Sequence, residues 1–127
     1  MSIIYNVGSI RVKKLGHNHN SSSYEARSHL LHLGIGRIML HLPESSGLKD
    51  KRRVSRSLST RIRNTFNVAI SEVEDQELWQ RLTFGVCCVS TDASHANEMI
   101  SKIVTFVQNE NRDFELLNYE TEIISGV

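Results

Sequence analysis

Lys49, Lys51, Arg52, Arg53, Arg56 and Arg63 crowd a short stretch of this 127-residue chain. At about 100° of rotation per residue, Lys49, Arg52, Arg53, Arg56 and Arg63 fall within an arc of roughly 100° of a helix. Val54, Leu58 and Ile62 take the opposite side. Such a ridge suits phosphate, because ammonium groups act as point charges and guanidinium groups as planar forks of donors. It is a poor choice for stability alone, since cations near a helix N-terminus oppose the macrodipole by about 0.3–1 kcal/mol each. Lys51 is expected to guard the helix terminus and share in the same phosphate contacts. The plain alternative is a solvated face neutralised by the chain's own acids.

The layout of charge sharpens that choice. The net charge is +1, but residues 1–36 sum to +3, residues 37–64 to +6 and residues 65–127 to −8. One surface can therefore present a positive field while the molecule stays near neutral. Hydrophobic residues make up 39% and charged residues 23%, which excludes collagen-like, disulfide-scaffold and highly charged disordered classes. No apolar run reaches the ~20 residues of a membrane span. The two cysteines, Cys87 and Cys88, are adjacent and cannot join distant segments. A reducing cytoplasm is the expected compartment.

Other chemistry-bearing residues form no catalytic set. His17 and His19, with His29 and His32, fall in an irregular leader without the ligand spacing or supporting acids of a metal site. His41 is expected on a strand and His95 in the first turn of a helix, each as a surface or packing residue. Cys87 and Cys88 must point to opposite faces of a strand, one into the core and one away. Gly34-Ile35-Gly36 lacks the third glycine and following helix of a dinucleotide fingerprint. Glu72, Glu74, Asp75 and Glu77 read as an exposed edge. Trp79, the only tryptophan, is expected to plug the end of the core, with Asp75 capping and Arg81 pairing nearby.

These residues need elements to position them. Residues 1–32 read as an irregular extension, disordered or a mis-assigned start of translation, and residues 33–127 as one domain. Ile38, Leu40 and Leu42 alternate into a strand stopped by Pro43. Ser46 can cap a helix ending near Asn64. Asn67–Glu74 and Leu82–Ser90 alternate as strands, and Asp92 or Ser94 caps a second helix through about Asn109. Phe114–Ile124 closes the chain with Leu117, Tyr119, Thr121 and Ile123 on one side. The order β-α-β-β-α-β predicts an α+β, ferredoxin-like fold, a four-stranded antiparallel sheet with two helices on one face. Its first and third strands are central, and its other face is uncovered. The open-face positions Arg37, Met39, His41, Thr83, Cys87 and Val89 include no aromatic, so base stacking on the sheet is not expected.

Three segments carry a family resemblance: Leu40-His41-Leu42-Pro43-Glu44-Ser45, Leu48-Lys49-Asp50-Lys51-Arg52-Arg53-Val54, and the run from Glu72 through Trp79 to Arg81. From about Gly36 to Ile124 the chain resembles the YlxP-like family of small bacterial proteins, a domain of unknown function. The resemblance implies a ferredoxin-like fold. Genes of that family often neighbour translation-initiation and ribosome-maturation genes, which implies a link to RNA or the ribosome. It supplies no activity and no catalytic residues, and the leader of over thirty residues departs from the family pattern.

The expectation is therefore a non-enzymatic cytoplasmic accessory protein, without cofactor or metal. It binds RNA or a ribosomal particle through Lys49, Lys51, Arg52, Arg53, Arg56 and Arg63. The second expectation is a protein-interaction or homodimerising module that uses an edge strand or the open sheet face instead of nucleic acid.

Overall fold

A computed structural model of the chain describes residues 12–14, 31–110 and 113–125. The elements run β1 (Val12–Lys14), β2 (His32–His41), α1 (Leu48–Thr65), β3 (Ala69–Glu74), β4 (Arg81–Ser90), α2 (Ala93–Asn109) and β5 (Glu115–Ser125). From β2 onward the order is the expected β-α-β-β-α-β. Strands β5, β2, β4 and β3 lie side by side and antiparallel, with β2 and β4 in the centre. Three residues of the leader extend this sheet. Val12–Lys14 pair in parallel with Ile123–Ser125, giving the order β1-β5-β2-β4-β3. The outer edge of β5 offers unpaired amides and carbonyls, and a short added strand satisfies some of them. The rest of the leader, apart from Leu31 and His32, lies outside the described residues.

Alternation builds the core. Burial along β2 alternates through its whole length, so Ile38 and Leu40 point inward while Arg37 and Met39 point away. They meet Leu82, Phe84, Val86 and Cys88 of β4, Val54, Leu58 and Ile62 of α1, and Ile100, Ile103 and Val107 of α2. Both helices thus share one face of the sheet. Phe66, just past α1, packs edge-on against Phe106 of α2 at 5.7 Å between ring centroids. The close approach of α2 to β2 requires glycine. A Cβ at Gly34 would lie 2.8 Å from Cys88 Sγ and 3.0 Å from the Ala96 carbonyl oxygen.

Two local expectations are corrected and one holds. Ser46 does not cap α1; Gly47 occupies that position with no side-chain cap. Asp50 reaches back instead, accepting the Ser46 N–H at 2.9 Å and its hydroxyl at 2.8 Å. At the second helix the expected cap is present, with the Asp92 carboxylate accepting the Ser94 N–H. In β5 the register shifts between Met39 and Leu40, so Leu116 rather than Leu117 faces Leu40. This bulge turns Leu117 outward, half exposed, while Tyr119, Thr121 and Ile123 keep the inward side.

The face away from the helices is less open than expected. Thr83, Glu120 and Glu122 are almost inaccessible. The Thr83 hydroxyl donates to the Asp75 carboxylate, and Arg37 lies between Glu74 at 3.2 Å and Glu120 at 2.9 Å. Val73, at a bulge in β3, sits over Gly85.

Filling the space at Gly34 tests this packing. Gly34→Ala should destabilise the fold by roughly 1–3 kcal/mol, read as a lower urea midpoint. An unchanged midpoint would contradict the close contact of α2 with β2.

Candidate nucleic-acid interface

Helix α1 displays the cations where the sequence places them. Val54, Leu58 and Ile62 are buried, and Lys49, Arg52, Arg53, Arg56 and Arg63 are exposed. Among the described residues these five form no ion pair. Arg63 makes only a long contact, 3.4 Å, to the Ser59 hydroxyl. Several acids of the carboxyl half are engaged elsewhere: Glu110 with Arg61, Glu98 with Lys102, Glu115 with His41, and Glu74 and Glu120 with Arg37. Self-neutralisation of the ridge is therefore not what the fold does. Asp50 is the one acid in the first turn, and it turns to Ser46. The hydrogen bonds from Ser46, the backbone one foremost, hold its carboxyl below the usual range, aided by the charges of Arg53 and Lys49. Lys49, Arg52, Arg53 and Arg56 line one shallow groove along the helix.

Lys51 is the correction. It does not face solvent; only 2% of it is accessible. An ammonium carries three donors and no acceptor; here it donates two hydrogen bonds to backbone carbonyls and forms an ion pair with a carboxylate. Nζ lies 2.5 Å from the Asp75 carbonyl oxygen, 2.9 Å from that of Leu78 and 2.7 Å from Glu72 Oε2. Lys51 therefore cannot contact phosphate. It ties the start of α1 to the loop between β3 and β4. The sequence held the signal, because Lys51, Val54, Leu58 and Ile62 follow the spacing of the buried stripe.

That loop also overturns the reading of Trp79. Its indole does not plug the core; 54% of the residue is exposed, as is 50% of neighbouring Leu78. Asp75 caps no helix. It adopts φ 55°, a left-handed conformation that aspartate tolerates better than most residues, and its carbonyl accepts the Leu78 N–H. The far side of the loop is anchored as well. The Leu42 N–H donates to the Gln80 carbonyl at 2.9 Å, and the Gln80 side-chain amide donates to the carbonyls of Pro43 and Ser45. His41, Leu78, Trp79 and Arg81 border a second shallow groove.

The remaining candidates stay apart. His41 Nδ1 meets Glu115 at 2.9 Å, His95 Nδ1 meets the Ser90 hydroxyl at 3.0 Å, and His32 is buried against Ser125 at 2.7 Å. His17, His19 and His29 lie outside the described residues. Among the described residues, no three His, Cys, Asp or Glu side chains gather as a metal site would need. Cys88 is buried in the core and Cys87 is half-buried on the other face; burial pushes both thiols up, away from the reactive thiolate. Among the described residues, no helix is long and apolar enough to cross a membrane.

A small α+β domain of ferredoxin-like topology, with a basic first helix and a pinned tryptophan loop, is thus defined. The chain belongs to the protein family of unknown function DUF503, whose profile matches residues 33–121. It is 35% identical over 66 residues to the uncharacterized protein YlxP of Bacillus subtilis (strain 168), an alignment covering 52% of this chain and 72% of that protein. Among solved structures, an amidase of the hydantoinase/carbamoylase family from Burkholderia phymatum aligns with a TM-score of 0.42 and 12% identity. That alignment covers 91% of this chain and 34% of the amidase, a likeness too slight to carry functional weight.

Two measurements check the local electrostatics. Lys51→Met should cost about 3 kcal/mol in denaturant unfolding, the low end for breaking a buried pair, because Glu72 keeps some exposure. Arg52→Gln should stay within about 0.5 kcal/mol; equal effects would contradict their different burial. An NMR titration should place the Asp50 carboxyl below 3.8, and Ser46→Ala should move it back towards that value. Because the folded value is depressed, its contribution is present above the ordinary carboxylate range and is lost as pH falls through the folded value. A midpoint at or above 3.8 in the unaltered chain would contradict the Ser46 contacts.

Proposed function

We propose that this protein binds RNA, free or within a ribosomal particle, by seating phosphates along the outer face of α1. The observation that carries this reading is the exposed row Lys49, Arg52, Arg53, Arg56 and Arg63, with no carboxylate partner among the described residues. Polyanions are attracted to such rows mainly by the release of condensed counterions, so contact is with the backbone and largely independent of sequence. The inward side of the same helix is fixed by Val54, Leu58 and Ile62, so the ridge is held in one orientation. The reading assigns no reaction to the chain, and its partner is a polyanion rather than a small substrate.

Self-association through an edge strand has less support. The exposed edge β3 ends in glutamates and carries a bulge at Val73, features that discourage edge-to-edge pairing.

Binding to a structured RNA should weaken steeply with salt, with a slope of roughly −0.7 to −0.9 per phosphate contact. The triple variant Arg52→Gln, Arg53→Gln, Arg56→Gln should lower the magnitude of that slope by about 2. Its urea midpoint should barely move, since all three side chains are exposed. Salt-independent binding, or binding unchanged in the triple variant, would overturn the assignment to α1.

A further inference from the structure

We infer that Trp79 is a stacking platform for an unpaired base, so that the RNA this protein prefers is single-stranded beside α1. The inference rests on the phosphate-binding reading of α1 and adds the class of nucleic acid. Nucleobases stack on exposed aromatic side chains held in a fixed orientation. On this domain the sheet cannot supply one: Phe84 is buried in the core, and the face away from the helices carries Arg37, Met39, Thr83 and Cys87. Trp79 can. It is exposed, yet the backbone on either side of it is tied down, at Leu78 by Lys51 and at Gln80 by Leu42, Pro43 and Ser45. A buried lysine that gives two donors to carbonyls of this loop and pairs with Glu72 of β3 is costly to place in a small domain. Its effect is to hold an indole outward without burying it.

The same contacts tie the platform's loop to the N-terminal end of α1, where Lys49 and Arg52 stand. Lys51 lies between Lys49 and Arg52 in α1, and its ammonium touches the carbonyl of Leu78, the residue before Trp79. Gln80 binds Pro43 and Ser45, which lead into α1. A strand whose base rests on Trp79 can therefore run its backbone towards Lys49 and Arg52. On the groove itself the charges are mixed, Arg81 with Glu77, and His41 is already paired with Glu115. The longer row of cations on α1 therefore favours that course.

Trp79 is the chain's only tryptophan, so fluorescence excited at the red edge, beyond tyrosine absorption, reports this position alone. The full chain is titrated with a short oligoadenylate, with an RNA duplex of the same length, and with inorganic polyphosphate. Oligoadenylate should quench the emission, whereas polyphosphate should bind without quenching and the duplex should quench little. Trp79→Ala should weaken oligoadenylate binding roughly ten-fold or more. Polyphosphate affinity and the salt slope should stay unchanged, and Trp79→Phe should restore most of the loss. Oligoadenylate binding that is salt-dependent but unquenched, and equal in Trp79→Ala, would overturn the platform while leaving the ridge in place. No binding of any of the three polyanions would overturn both readings.

Discussion

One buried ammonium organises the functional end of this molecule. Lys51 sits on the inward stripe of α1, donates to the carbonyls of Asp75 and Leu78 and pairs with the Glu72 carboxylate. An unpaired cation in that position would be strongly disfavoured, so the loop between β3 and β4 must close over it. The left-handed turn at Asp75 and the exposed Trp79 both lie in the loop that this ammonium ties to the start of α1. Elsewhere the fold relies on ordinary apolar packing, with α2 drawn tightly onto β2 at Gly34.

The arrangement separates two roles that the sequence merges. Six neighbouring cations read as one patch, yet five are exposed and one is internal. The five form no ion pair among the described residues, while the sixth holds two carbonyls of the β3–β4 loop and pairs with Glu72 of β3. Glu110 is drawn away from the ridge by Arg61, and Glu120 pairs with Arg37 on the far face of the sheet. Charge segregation along the chain therefore survives folding as segregation on the surface. That is the physical ground for an anionic partner.

Much of the fold was legible because it rests on periodicity. The alternation in β2 and β4 and the stripe on α2 each specify an element and its inward face, and the order of elements specifies the topology. What escaped depends on single contacts. The outward turn of Leu117 follows from a bulge, which interrupts alternation without a marker in composition. Lys51 carries the periodic signal of a buried residue but the chemistry of an exposed one, and chemistry misled. Trp79 was misread for the opposite reason: large aromatics are usually buried, and nothing local discloses that backbone tethers hold this one out. The leader's short strand on β5 lies in a segment with no sustained pattern at all.

Mapping amide and indole NMR shifts as single-stranded RNA is added tests the central claim most directly. The account predicts perturbations concentrated on residues 49–63 and the Trp79 indole, fading as salt is raised. Shifts confined to the β3 edge or to the face carrying Met39 and Cys87, or no shifts at any RNA concentration, would contradict it.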